Sequence, residues 1–253
     1  MTATVDLNSD MGESYGAYAI GDDRAMLGIV TSANIACGFH GGDPLVMRNA
    51  VVLAKEKGIS IGAHPSFLDL WGFGRRQILG DTPDEVGQFV LYQIGALQAV
   101  AAAAGHRVTH VKLHGALANM AQVEDDLADG VARAIRALDR DLAFVVMPGL
   151  ATERAGERAG LRMAREVYAD RSYGEDGNLT PRKNPGAVIH DPAEATRRVL
   201  QMLGEKAIRT VGGTRLPVAI DSICVHSDTP DAVTMAGTLR AALERAGFEI
   251  AAF

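Results

Sequence analysis

Short apolar runs alternate with longer amphipathic stretches along the whole chain. Side chains that repeat every second residue mark strands, and those that repeat near 3.6 mark helices. Strands are expected at Thr4 to Asp10, Ser32 to Phe39, Gly58 to Pro65, Thr109 to Ala116, Ala143 to Pro148, Arg165 to Arg171 and Ser222 to His226, with Phe248 to Phe253 as a further candidate. Between them lie helix starts at Asp43-Pro44, Thr82-Pro83 with Glu85, Asp191-Pro192 with Glu194, and Thr229-Pro230. Each puts a capping oxygen before a first-turn proline, and Glu85 and Glu194 add the acidic residue of a capping box or its Asp variant. No Ser/Pro-rich linker or low-complexity block divides the chain, so residues 1–253 read as a single domain. The strand-helix-strand repeat predicts an α/β fold with a parallel sheet, either closed as a TIM-like (β/α) barrel or open and doubly wound. Neither G-x-G-x-x-G nor G-x-x-x-x-G-K-[ST] occurs, which removes the main signature of the nucleotide-binding open sheets and moves the barrel ahead.

Strand parity carries the chemical signal, because successive side chains point to opposite faces. Val5 and Leu7 oppose Asp6, Asn8 and Asp10; Ile59 and Ile61 oppose Ser60, Gly62 and His64; Val111 and Leu113 oppose His110, Lys112 and His114. Val167 and Ala169 oppose Glu166, Tyr168 and Asp170, and Ile223 and Val225 oppose Cys224, His226 and, just beyond, Asp228. The second strand is less clean, with Asn34 and His40 of one parity and Ile35, Cys37 and Phe39 of the other. In a closed barrel the apolar parity must meet the helices, so the polar parity points into the lumen. A buried unpaired charge costs several kcal/mol, so such groups must pair, hold an ion, or meet substrate and water. Asp6 and Asp10, about 13 Å apart on an extended strand, belong at different depths.

Composition narrows the partners. With 25 Lys and Arg against 31 Asp and Glu, a net charge of −6 and no clustered basic stretch, nucleic acid is not an expected partner. The two cysteines, Cys37 and Cys224, are too few for a disulfide framework and read as packing residues of a protein in a reducing compartment. No secretory leader and no uninterrupted membrane-length apolar run is visible, so a cytoplasmic protein without a membrane partner is expected. The loop Gly38-Phe39-His40-Gly41-Gly42-Asp43-Pro44 brings glycine backbone to a helix N-terminus, which either binds an anion or simply turns the chain tightly. Gly72-Phe73-Gly74-Arg75-Arg76 offers a guanidinium able to grip a carboxylate, or else a solvated basic pair. The strand-end histidines read either as hydrogen-bonded structural groups or as site residues, and Asp6 and Glu166 could tie the barrel floor through ion pairs, for instance with Lys112.

Six ordered blocks resemble the LamB/YcsF family over essentially the whole chain. They are Asp6 to Glu13, Asn34 to Pro44, Gly62 to Ser66 with Gly72 to Arg76, Val111 to Leu117, Glu166 to Arg171, and Ile223 to His226. The chain departs from the family pattern at Leu113, Ala118 and Ser227, where Pro, Tyr and Gly are usual. The resemblance implies a glycoside hydrolase/deacetylase-like barrel, often incomplete with seven strands. It further implies participation, as the A subunit, in ATP-dependent 5-oxoprolinase chemistry: hydrolysis of the 5-oxo-L-proline lactam to L-glutamate, with ATP as co-substrate and subunits B and C as partners.

On this reading Asp10, Glu13, His40, His64, Lys112, His114, Glu166, Asp170, His226 and Asp228 are the expected catalytic set. Asn8, Gly41, Gly42, Arg75 and Arg171 would bind substrate, and Asp10, His64 and His114 would hold a divalent metal if one is used. Two alternatives remain open, a metal-dependent deacetylase or amidohydrolase and a non-catalytic subunit that binds a small acid.

Overall fold

The computed structural model describes residues 3–227 and 231–253. Its centre is a closed barrel of seven parallel strands: β1 (Thr4–Met11), β2 (Ser32–Ala36), β3 (Ser60–His64), β4 (Val108–Lys112), β5 (Ala143–Val146), β6 (Arg162–Tyr168) and β9 (Ser222–Cys224), which returns to β1. β1 carries two neighbours on one edge. Thr4 and Val5 pair with β10 (Glu249–Ile250), and Asp6 to Asn8 pair with β9. β7 (Ala207–Arg209) and β8 (Arg215–Pro217) form a separate antiparallel hairpin that the sequence pattern did not announce, because each strand offers three residues.

The helices are α1 (Asp23–Met26), α2 (Pro44–Glu56), α3 (Pro83–Ala103), α4 (Gly115–Ala121), α5 (Asp125–Leu138), α6 (Ala151–Ala159), α7 (Pro192–Glu205) and α8 (Ala232–Arg245). Three start as expected. Asp43 Oδ1 accepts from Leu45 N and Val46 N, Thr82 and Glu85 form a reciprocal capping box, and Asp191 accepts from Ala193 N. The fourth start, Thr229-Pro230, lies outside the described residues. α3, at 21 residues, is long and apolar enough to cross a membrane, but here it packs against α5 and places Val86, Val90, Ile94 and Leu97 in the core.

Outward-facing Val5, Leu7, Ile35, Ile61, Val111, Phe144, Val167 and Ile223 are fully buried and form one core with helix residues such as Val51, Val90, Ile135 and Leu239. Removing each such side chain from water contributes roughly 1.5–3 kcal/mol, which fixes the strand register and forces the opposite parity inward. Pairing in β2 and β4 stops earlier than the periodicity suggests. Gly38 (φ +96°) turns the chain soon after β2, and Gly115 (φ +56°) opens α4 just beyond β4.

Candidate active site

The inward groups stack in layers. At the floor, Asp6 accepts from Thr31 Oγ1 and Ser32 Oγ, each at 2.7 Å, and from Ser222 Oγ. Burial pushes its carboxyl up in spite of these donors. Asp6 therefore ties the floor through hydroxyls, with no ion pair among the described residues. The ring of Phe253 packs edge-on against His110, with centroids 5.2 Å apart.

One layer up, Asn8 Nδ2 donates to Glu166 Oε1 at 2.9 Å and Ser222 Oγ at 2.7 Å. Asn34 Nδ2 donates to Asn8 Oδ1 at 2.8 Å and Asp10 Oδ1 at 2.9 Å. His110 bridges Asn34 Oδ1 and Thr109 Oγ1, each at 2.9 Å, and burial pushes its ring down to about 3, so it is neutral. Gly62 makes this possible, since a Cβ there would lie 2.1 Å from the His110 ring.

Lys112 links this layer to the next. Its Nζ lies 2.9 Å from both Asp10 Oδ1 and Glu166 Oε1, and 3.0 Å from Cys224 Sγ. Burial opposes the ammonium, but Asp10, Cys224 and Glu166 outweigh it and hold Lys112 well above its ordinary value. Burial likewise opposes the Asp10 carboxylate, yet His64 and Lys112 hold it well below the usual range. Both cysteines are buried core residues, Cys37 with its thiol pushed up to about 12 by burial, and Cys224 in addition stands 3.0 Å from the Lys112 ammonium.

The top layer is assembled from strand ends and loops. His64 Nδ1 lies 2.8 Å from the Lys112 carbonyl, and its Nε2 lies 3.0 Å from His114 Nδ1 and 3.4 Å from Asp10 Oδ2. Burial opposes protonation of His64, but Asp10 outweighs it and raises the value. His114 turns Nε2 to the Phe73 carbonyl at 2.9 Å and stacks on His40, with centroids 3.7 Å apart and planes 5° from parallel. His40 Nε2 meets Glu13 Oε1 at 3.0 Å. Burial holds both His40 and His114 well below the usual histidine range. Across the mouth His226 Nδ1 meets Asp170 Oδ2 at 2.8 Å. Burial opposes the Asp170 carboxylate, and His226 outweighs it.

These layers open into a cavity of about 740 Å³ at the C-terminal ends of the strands, where barrels of this type place their sites. Asp10, Glu13, His64, Arg75, Lys112, His114, Arg171 and His226 line it. His40 and Asp170 stand directly behind lining residues, whereas Asn8 and Glu166 lie deeper. Asp228 lies outside the described residues.

Three of the expected substrate contacts, Gly41, Gly42 and Arg171, have structural roles. Gly42 N donates to Ser14 O at 2.9 Å, and Asp43 already satisfies the start of α2, so the Gly38 to Pro44 loop is a tight turn. A Cβ on Gly41 would lie 2.5 Å from the Glu13 carbonyl oxygen, so this glycine lets the Glu13 loop approach. Arg171 donates from Nε to Ala187 O and from Nη2 to Thr180 O, which anchors the segment over the mouth. Arg76 pairs with Asp69, while Arg75 lines the cavity with its guanidinium 5.1 Å above the Phe73 ring.

Sequence reasoning did not single out Tyr168, which shares the parity of Glu166, stacks on His226 and stands 5.1 Å from Lys112 Nζ. It also passed over Asn119 and Arg182, which line the cavity from α4 and from the long loop after β6, where no periodicity marks them.

The chain is 54% identical over 249 residues to the A subunit of the 5-oxoprolinase of Rhodopseudomonas palustris (strain BisB5), covering 98% of each chain. The crystal structure of the lactam utilization protein from Thermus thermophilus superposes with a TM-score of 0.92 at 47% identity, covering 99% of this chain and 100% of that one. A substrate-bound T48 deacetylase matches 98% of this chain and 87% of its own at a TM-score of 0.50 and 13% identity, a likeness of fold alone. The LamB/YcsF family model matches residues 5–253, and the chain belongs to that family.

Proposed function

We propose that this chain works as the A subunit of an ATP-dependent 5-oxoprolinase, opening the lactam of 5-oxo-L-proline to give L-glutamate. The relative from Rhodopseudomonas palustris and the Thermus thermophilus structure support the reaction class by their names. The observation that carries the reading is the cavity itself, which sets a His226–Asp170 pair and a buried ammonium, Lys112, around one solvent-reached space.

With Nδ1 held by the Asp170 carboxylate, His226 presents Nε2 as its basic nitrogen, positioned to take a proton from water. The water oxygen adds to the lactam carbon, the ring C–N bond breaks, and the nitrogen leaves as the glutamate amine. Lys112 supplies positive charge against the oxyanion, and Arg75 grips the substrate carboxylate. An unstrained amide is a poor electrophile, so phosphoryl transfer from ATP to its oxygen, with ADP leaving, would activate the carbon towards that water; C–N cleavage would then leave a γ-glutamyl phosphate, from which a second water releases phosphate to give glutamate. The partner subunits B and C take part in that coupling.

The test is reconstitution of the three-subunit mixture with wild-type chain, His226→Ala or Asp10→Ala, following glutamate and ADP together. Loss of glutamate release by folded variants is expected. Full turnover by both variants would remove this cavity from the reaction.

A further inference from the structure

Two histidines at the top of the lumen are set so that they cannot both be satisfied as neutral rings. His64 Nδ1 and His114 Nε2 lie 2.8 and 2.9 Å from the carbonyl oxygens of Lys112 and Phe73. A carbonyl only accepts, so these two nitrogens carry the hydrogens, and in a neutral ring the other nitrogen is a bare lone pair. Those bare nitrogens, His64 Nε2 and His114 Nδ1, face each other at 3.0 Å. Glu13 Oε1, also an acceptor, stands 3.4 Å from His114 Nδ1, 4.0 Å from His64 Nε2 and 3.0 Å from His40 Nε2. The four ligand atoms lie within 4.8 Å of one another, and all four residues are buried.

We propose that Glu13, His40, His64 and His114 form a binding site for one divalent transition-metal ion of the zinc class. A tetrahedral ion with bonds of about 2.0–2.1 Å needs ligand atoms roughly 3.3 Å apart, and the atoms of Glu13, His64 and His114 already stand 3.0–4.0 Å from one another. His40, 3.0 Å from Glu13 but stacked parallel on His114, joins them by rotating its ring out of that stack. Backbone carbonyls on the outer nitrogens of His64 and His114 are the supports that fix the tautomer of a ligating imidazole. The glycines around the cluster serve the same end. A Cβ on Gly74 would lie 2.7 Å from the His114 ring and 2.8 Å from His40 Cβ.

The ligand set differs from the Asp10, His64 and His114 trio expected from sequence. Asp10 Oδ1 is engaged by Lys112 and Asn34 and its Oδ2 approaches His64 Nε2 at 3.4 Å, whereas Glu13 Oε1 reaches all three rings, at 3.0 Å from His40, 3.4 Å from His114 and 4.0 Å from His64. The neighbouring Asp10, Cys224 and His226 group contains its own cation, since the Lys112 ammonium touches both Asp10 and Cys224. Three of the proposed ligands, Glu13, His64 and His114, line the cavity, and His40 closes the back. In the metal-free protein a proton on His64 Nε2, donated to His114 Nδ1, relieves the lone-pair conflict.

The experiment measures metal without turnover, so its failure leaves the lactam reading untouched. Full-length chain is stripped with chelator, titrated with Zn2+ or Co2+, and followed by elemental analysis, by the visible absorption of bound Co2+ and by thermal shift. One equivalent per chain is expected, with affinity at least tenfold weaker in Glu13→Gln and in His114→Gln and a thermal shift reduced in both. Asp10→Asn should keep the ion. Two variants at opposite sides of the cluster keep the test decisive if one misfolds. Less than a tenth of an equivalent bound by wild type, or affinity unchanged in the folded ligand variants, would show that the cluster shares only a proton and overturn the proposal.

Discussion

Replacing His110 by Asn should flatten the loss of stability on acidification. In the fold this ring is buried against Asn34 and Thr109, with Lys112 and Arg162 adding positive charge nearby, and it takes a proton only near pH 3. In the unfolded chain it takes one near pH 6.5. Between those values the unfolded state binds the extra proton, so stability from this group is complete above about pH 6.5 and falls by about 1.4 kcal/mol for each pH unit below it. From pH 7 to pH 5 the difference amounts to about 2 kcal/mol, and at pH 5 the folded ring is still neutral. Urea denaturation of wild type and His110→Asn at pH 7, 6 and 5 provides the measurement. The variant is less stable at neutral pH because it loses packing beside Gly62, but the gap should narrow by about 2 kcal/mol at pH 5. His40 and His114 push in the same direction as His110, while Asp6, His64 and Asp23 push in the opposite one. All are common to both proteins and cancel in the comparison. Parallel stability curves across the three pH values would refute the reasoning.

Lys112→Met should cost roughly 3–5 kcal/mol, because Asp10 and Glu166 are left as buried carboxylates without their cation; adding Glu166→Gln should recover part of that in a double-mutant cycle, and no recovery would contradict the pairing. Gly74→Ala and Gly58→Ala both place a side chain at positive φ, a cost of about 1–2 kcal/mol, but only at Gly74 does the new Cβ meet Ser66 Oγ at 2.3 Å and His114 at 2.7 Å. Gly74→Ala should therefore be worse by at least about 1 kcal/mol in the same denaturation assay, and equal costs would mean the cluster yields freely.

The barrel was legible because its outward parity is almost purely aliphatic. Val5 and Leu7, Ile61, Val111, Val167 and Ile223 leave the opposite residues nowhere but the lumen. Asp10, Lys112 and His64 could be grouped on that basis, and Asp6 and Asp10 do lie at different depths. The Glu13–His40 contact could not be read, since both residues sit beyond strand ends and meet through the turn at Gly12 (φ +64°) and the close approach at Gly41. Whether the start of α2 was open to an anion turned on a local feature, the Asp43 cap that the sequence also announced, and the Asp43 carboxylate already fills that place. β7 and β8 escaped because Arg209, Arg215 and Pro217 are polar or strand-averse and each segment spans only three residues, too few to establish an alternation.

Among the described residues the floor of the lumen, Asp6, Ser32, His110 and Ser222, is buried, whereas the strand tips open into the cavity, so the lumen is a well with its mouth at the rim. A reactant that enters such a well at the rim departs by the same opening. Any subunit seated over that rim would thus govern arrival and departure together, so that delivery, reaction and release follow one another in strict sequence.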